Sequence, residues 1–312
     1  MEFSHISVLL NQTVDSLDIK PDGIYVDGTA GGAGHSREIA AKLTTGKLYA
    51  FDRDPDAVEV ATKRLKDYNA EVINDNYYNF DSVLRKKGIE RIDGLLLDLG
   101  VSSYQLDNAE RGFSFHGDAP LDMRMSKSGV SAADIVNNSD AAALCEIFQK
   151  YGEEKFAYKI ANEIIKRRPI YTTGELAALI SDVVPAKFKR DGHPARKCFQ
   201  ALRIAVNGEL DDTAGVLDKA FEMLNVGGRI AVITFHSLED RIVKQTFNRF
   251  CEGCTCPPDF PVCVCGKKPM AKLVNKKPII PTEIEIENNP RSRSAKLRVV
   301  EKIREDYTVE LS

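Results

Sequence analysis

A short apolar run that ends in an acid and breaks directly into glycines constrains this chain more than any other stretch. Ile24-Tyr25-Val26-Asp27 reads as a buried strand, Gly28-Thr29-Ala30-Gly31-Gly32-Ala33-Gly34-His35 as a turn, and residues 36–43 have helical spacing. Glycines let a ligand approach the backbone and take up φ angles that a Cβ forbids. The helix start adds unpaired N–H groups and the positive end of a dipole. Plain tight turns use the same residues, so the neighbours matter. Leu48-Tyr49-Ala50-Phe51 reads as a second strand ending in Asp52, where a carboxylate would hydrogen-bond both ribose hydroxyls of a nucleoside. The turn is not the dinucleotide pattern G-x-G-x-x-G. Asp27 would repel a pyrophosphate but suits the amine of a methionine-like ligand, so S-adenosylmethionine is expected rather than NAD.

The pattern continues along the chain. Asp54-Pro55 starts a helix running to residue 68, residues 70–73 form a third strand, and Tyr77 beyond its tip is placed to stack on an adenine, although strand-end tyrosines are commonly amphipathic packing. Ile92-Asp93-Gly94-Leu95-Leu96-Leu97-Asp98 is a fourth strand, again ending in an acid. Strands alternating with helices, each with a polar residue at its carboxyl end, predict an α/β sheet with the ligand across the strand tips. The next convincing core strand covers residues 228–235, far more than a crossover needs. The interval reads as an inserted helical subdomain, with helices over residues 140–151, 153–168 and 176–184, the last with a capping box from Thr172 and Glu175. The expected division is 1–105 and 194–312 for the α/β domain and 106–193 for the insertion. Helices over 194–207 and 209–224 follow, and Ser237 with Asp240 is expected to cap a helix toward Phe250. Residues 284–287 and 296–300 alternate at period two and suggest a closing antiparallel pair. An apolar-periodic segment at residues 5–17 reads as a helix, with His5 a capping or surface residue.

At 312 residues, 43% apolar and 29% charged, the composition is that of an ordinary globular protein. No apolar run reaches membrane-spanning length and no basic region precedes one at the start, so the expectation is a cytoplasmic protein without a membrane partner. The net charge of −3 argues against a strongly basic nucleic-acid binder, yet it is unevenly spread. The first 150 residues hold 16 Lys and Arg against 24 Asp and Glu, the remainder 27 against 22, so a polyanion-facing surface belongs to the second half.

Longer motifs carry a resemblance. Asp98-Leu99-Gly100-Val101-Ser102-Ser103-Tyr104-Gln105-Leu106 is followed by Glu110-Arg111-Gly112-Phe113-Ser114-Phe115 and Pro120-Leu121-Asp122-Met123-Arg124-Met125. Further on stand His193-Pro194-Ala195-Arg196, Phe235-His236-Ser237-Leu238-Glu239-Asp240-Arg241 and Asn289-Pro290-Arg291-Ser292-Arg293-Ser294. Together these resemble the bacterial small-subunit ribosomal RNA cytosine-N4 methyltransferase family, over essentially the whole chain. The resemblance implies a class I methyltransferase with a helical insertion between its fourth and fifth strands, methylating a decoding-centre cytidine with S-adenosylmethionine. It places cofactor contacts on Gly34, His35, Ser36, Asp52, Tyr77, Asp98 and Gln105; Asp27 joins them on the charge argument above. The partner implied is small-subunit ribosomal RNA or the assembled subunit, and a homodimer is left open. Enzymes acting on exocyclic amines often carry an Asp/Asn/Ser-Pro-Pro-aromatic motif after the fourth strand; here Leu-Gly-Val-Ser-Ser follows Asp98, so catalytic roles do not transfer from that wider group.

Methyl transfer needs in-line positioning more than covalent help, and no metal. Cytosine N4 is a poor nucleophile because its lone pair is delocalised, so a hydrogen-bond acceptor would assist; Asp98 or a carbonyl of residues 99–103 is the candidate, with cofactor contact alone as the competing role for Asp98. A base leaving its stack needs a wedge or clamp, for which Phe113 and Phe115 are candidates against the plainer reading that they anchor their loop. Arg196, Gln200, Arg203 and Asn207 share a helix face that could meet RNA backbone, as could Arg291 with Arg293, with Lys166, Arg167, Arg168, Lys187, Lys189 and Arg190 extending it; charge runs are usually solvated faces. Cys251, Cys254, Cys256, Cys263 and Cys265 could supply four zinc ligands, but Cys-x-Cys is tighter than the usual knuckle and the resemblance implies no metal. The rival readings are a methyltransferase acting on DNA or protein and a non-catalytic RNA-binding assembly factor; an NAD-dependent oxidoreductase lacks its glycine pattern.

Overall fold

The computed structural model describes residues 7–189, 192–253, 256, 265 and 267–305. Seven strands, β1 (Ile24–Asp27), β2 (Lys47–Asp52), β3 (Ala70–Asn74), β4 (Ile92–Asp98), β5 (Leu224–Thr234), β6 (Ala271–Leu273) and β7 (Lys296–Lys302), form one sheet in the order β3-β2-β1-β4-β5-β7-β6. The first five are parallel; β7 runs antiparallel between β5 and β6. The helices are α1 (Leu10–Ser16), α2 (Gly34–Ala41), α3 (Pro55–Leu65), α4 (Phe80–Lys86), α5 (Ser103–Asp107), α6 (Ala132–Asn138), α7 (Ala141–Gly152), α8 (Ala157–Arg167), α9 (Thr173–Val183), α10 (Arg196–Asn207), α11 (Glu209–Met223), α12 (Ser237–Cys251) and α13 (Glu283–Asn288). This is the expected α/β class I methyltransferase architecture, with its helical insertion between β4 and β5.

The central strands are apolar at consecutive positions because both faces of the sheet are covered. In β4, Leu95 and Leu97 pack with Phe51, Phe80 and Val232, while Leu96 points into the opposite layer with Tyr25, Leu48 and Ile233. Chain order runs outward from β1 to β3 and then restarts at β4 on the other side, so the topological switch lies between β1 and β4. Ligands of such sheets bind beyond the carboxyl ends at that switch. Asp27 and Asp98 are the residues standing there.

Three expectations are corrected. The chain divides into residues 1–100 with 210–312, and residues 101–209, so the insertion keeps α10, which was assigned to the α/β domain from residue 194. The reason is packing: Cys198, Phe199, Ala201 and Leu202 of α10 are buried with Leu144 and Phe148 of α7 and Ile160 and Ile164 of α8. Full burial of each such Leu, Ile or Phe is worth about 1.5–3 kcal/mol. The second correction concerns residues 284–287, which lie in a helix rather than a strand. Thr282 accepts from the Glu285 N–H, and Glu285 Oε1 takes the Leu9 N–H at 2.7 Å; the antiparallel partner of β7 is the short β6 instead. Third, α12 is capped by His236 and Glu239, not by Ser237 and Asp240. Asp240 is drawn off by Arg298 Nε at 2.7 Å and Lys296 Nζ at 3.2 Å. The capping box of Thr172 and Glu175 forms as expected. His5, Arg190, Cys254 and Cys263 lie outside the described residues. No described helix is long and apolar enough to cross a membrane.

Candidate cofactor and active site

The glycine turn is built from small residues because nothing larger fits. A Cβ on Gly28 would stand 2.5 Å from Leu97 Cδ2 and 2.9 Å from Tyr77 Cβ, and one on Gly34 would stand 1.9 Å from Ser7 Oγ. Gly31 takes a φ of +48°, which a side chain disfavours. Ala33 also adopts a left-handed φ of 60° as it opens α2 with no side-chain cap. The first turn of α2 is therefore not closed by a side-chain cap.

Asp27 is buried, and its carboxylate is divided. Oδ2 accepts the Ser36 hydroxyl at 2.6 Å, and Oδ1 accepts the Thr29 N–H at 3.0 Å. Burial pushes its pKa up, opposed by those hydrogen bonds. Thr29 links the two strand tips: its Oγ1 accepts the Asp98 N–H at 2.6 Å and donates to Asp27 Oδ1 at 3.4 Å. Asp52 takes the Gly31 N–H at 2.8 Å on Oδ2 and the Asp54 N–H at 2.8 Å on Oδ1. Each oxygen keeps a second lone pair, so the carboxylate that shapes the turn still has the two acceptors a ribose diol asks for. Burial, with Asp54 and Asp27 nearby, raises the Asp52 pKa to about 6.

Asp98 is the least satisfied group in the site. Its Oδ1 is buried and has no hydrogen-bond partner, and Oδ2 lies 3.7 Å from His35 Nδ1. His35 Nε2 is 3.0 Å from the Val8 carbonyl, an acceptor, so Nε2 carries the proton there. Burial first, then Asp27 and Glu239, raises the Asp98 pKa to about 8. Acids gathered with so little counter-charge make a cation-seeking centre. Tyr77 is buried in the layer beside Gly28, with the Arg53 guanidinium 5.8 Å from its ring centroid.

The α/β unit thus brings together Asp27, Gly34, His35, Ser36, Asp52, Tyr77 and Asp98 of the expected set. Gln105 belongs to the inserted unit, where its Oε1 accepts the Ser102 N–H at 3.0 Å and its own N–H donates to Ser102 Oγ, closing the capping box of α5. Sequence reading missed Thr29 and Glu239. Glu239 is buried; its Oε2 accepts the Phe235 N–H at 2.8 Å, and His236 Nε2 lies 3.0 Å from its Oε1. The Glu three residues past the cap was the available signal.

The basic face expected on α10 is mostly structural. Arg203 makes a two-pronged ion pair with Glu209 at 2.9 Å, Gln200 donates to the Tyr151 carbonyl, and Asn207 ties the Met123 and Met125 backbone. Arg168 donates to the Val136 and Ser139 carbonyls, and Arg167 pairs with Glu163 and Asp182. Arg196 remains exposed, as do Arg291 and Arg293, which occupy the turn just before β7. The register Thr234↔Lys296 sets that turn beside the carboxyl end of β5, the ligand end of the sheet. Phe113 is buried in the insertion's core and Phe115 is partly buried against it.

A model of the MraW methylase family matches residues 2–303. The ribosomal RNA small subunit methyltransferase H of Clostridium botulinum (strain Loch Maree / Type A3) is 55% identical over 309 residues, covering 97% of this chain and 100% of the relative. That of Lachnospira eligens is 51% identical over 311 residues, covering 97% and 99%. Among solved structures, an rRNA methylase from Streptococcus thermophilus superposes with a TM-score of 0.44 at 14% identity, over 96% of this chain and 100% of the other.

Proposed function

The chain belongs to the MraW methylase family, and from that premise we propose that it moves a methyl group from S-adenosylmethionine to N4 of a cytidine in small-subunit ribosomal RNA, near the decoding centre. The observation that carries the reading is the buried, unpartnered Oδ1 of Asp98 at the switch point, within the field of Asp27 and Glu239. Such a centre fits a cationic ligand and repels a pyrophosphate. The relatives' names supply the substrate class, ribosomal RNA of the small subunit.

The residues fit the cofactor. Within the α/β unit, Asp27 would hold its ammonium group, the first turn of α2 at Gly34, His35 and Ser36 its methionine portion, Asp52 its ribose hydroxyls and Tyr77 its adenine. Bound S-adenosylmethionine supplies a methyl group activated on a sulfonium. The rest is positioning, which for a transfer of this kind supplies most of the acceleration. Asp98, once ionised, accepts a hydrogen bond from the N4 amine, concentrates the lone pair on nitrogen, and takes the proton released as the N–CH₃ bond forms. The direct test is transfer of labelled methyl from S-adenosylmethionine to small subunits lacking the modification, beside naked RNA of the same sequence, followed by nucleoside analysis. N4-methylcytidine from the subunits is expected. Methyl on another atom or another macromolecule would overturn the specificity, and no cofactor binding would overturn the reaction.

A further inference from the structure

In the inserted unit, three rings are held together at the start of α10. The imidazole of His193 stacks on Phe115 with centroids 4.7 Å apart and planes 18° apart. His116 lies 4.4 Å from Phe115 and 6.2 Å from His193, tilted 64° to the latter, and Phe199 meets the edge of Phe115 from the core side at 5.6 Å. Phe115 is half-buried, whereas His116 and His193 are exposed. The group is therefore a corner: one exposed imidazole backed by a phenyl ring, and a second exposed imidazole standing across its edge.

Anchoring does not explain it. The loop is already fixed by Phe113 in the core, by Arg111 Nη2 donating to the Arg124 and Met125 carbonyls at 3.0 Å, and by Thr173 Oγ1 donating to the Gly117 carbonyl at 2.8 Å. The rings are thus presented on a rigid support. His193 Nδ1 accepts the Ala195 N–H at 3.2 Å, so the neutral ring carries its proton on Nε2. Burial and the neighbouring His116 lower the His193 pKa, favouring a neutral, flat ring. Beside it, α10 begins with no side-chain cap, and the exposed Arg196 occupies its first position. Asp118, the nearby acid of the loop, is engaged by the Gly174 N–H at 3.2 Å.

We propose that Phe115, His116 and His193 form a subsite that stacks one unpaired nucleobase of the RNA, its phosphate facing Arg196 and the first turn of α10. The inference rests on the RNA-methylating reading and adds to it where part of the strand is held. Stacking on an aromatic face is tolerant of base identity, and the uncapped turn with a guanidinium suits the phosphate that accompanies every base.

The test is binding of single-stranded RNA of the target sequence to the full chain by fluorescence anisotropy, alongside cytidine monophosphate, for the wild type, His193→Ala and His193→Phe. His193→Ala should weaken RNA binding about tenfold with an unchanged salt slope, and His193→Phe, which restores a flat ring, should recover most of it. Arg196→Gln should instead reduce the salt slope by about one. Cofactor affinity and melting temperature should be unchanged in all three variants. Wild-type RNA affinity in His193→Ala overturns the subsite while leaving the methyltransferase reading intact. A loss that Phe fails to rescue and that follows a lowered melting temperature makes the cluster structural and overturns it too. A mononucleotide affinity that falls while RNA affinity holds removes RNA as the occupant. A wild type that binds no RNA removes both readings.

Discussion

At the scale of the residue, Asp98 decides most. Its carboxyl titrates near 8 in the folded chain, against about 4 for an unperturbed aspartate. A group whose pKa is raised by folding holds its proton more tightly in the native state. Its stabilisation is complete below about pH 4 and is lost as pH rises through about 8. Asp52, near 6, loses its share at lower pH, so the loss from about pH 7 to 9 includes the share of Asp98, beside that of the buried Asp27, whose pKa is also raised. Without cofactor, the melting temperature of the wild type should fall across that interval, and Asp98→Asn should flatten the fall; an equal slope in both would show that the titrating group lies elsewhere. The same variant separates the two roles of Asp98. Near-normal cofactor affinity with turnover reduced at least about hundredfold is the signature of an acceptor for the N4 proton. Lost affinity would assign the residue to the cofactor alone.

At the scale of the element, the turns carry what regular structure cannot. Gly112 takes a φ of +70°, and a Cβ there would stand 2.3 Å from the Pro120 carbonyl oxygen and 2.7 Å from the Asp122 nitrogen. Both neighbours are backbone, held by the Pro120↔Thr172 bridge and the Asp122 N–H to Pro120 carbonyl bond. Gly129 has a φ of +86° with nothing within 4 Å. Gly112→Ala should therefore cost about 2–5 kcal/mol, strain plus overlap, and Gly129→Ala only the strain, about 1–2 kcal/mol. Denaturant unfolding of the two variants checks the difference; equal losses would mean that the Gly112 loop yields. The helices themselves were legible because their signals are local. Asp54-Pro55 and Thr172 with Glu175 cap the helices they were expected to cap. Ile284-Glu285-Ile286-Glu287 was misread because four alternating residues fit a strand as well as a short helix, and it was Thr282 and the distant Leu9 that chose between them.

At the scale of the whole molecule, charge is distributed rather than abundant. With a net charge of −3, affinity for a polyanion has to come from a few outward cations. Of the two arginines expected on the face of α10, Arg203 is held by Glu209 and Arg196 is exposed, and the exposed Arg291 and Arg293 stand beside the carboxyl end of β5, the ligand end of the sheet. Replacing both with Gln should weaken RNA binding and lower the slope of log affinity against log salt by about two. An unchanged slope would exclude them from the phosphate contacts.

The sequence by itself determined the period-two and helical patterns, the glycine turn, and the acids at the strand ends, so the sheet and the positions of Asp27, Asp52 and Asp98 could be read from it. These are short-range facts, set by what neighbouring residues permit. Only the tertiary structure decided that α10 stays with the insertion, that Arg203 answers Glu209, that Glu239 lies within the field of Asp98, and that His193 stacks on Phe115. Each joins groups on different elements. The free energy of such a contact depends on burial and on which partner arrives, and neither is written in the order of residues along the chain.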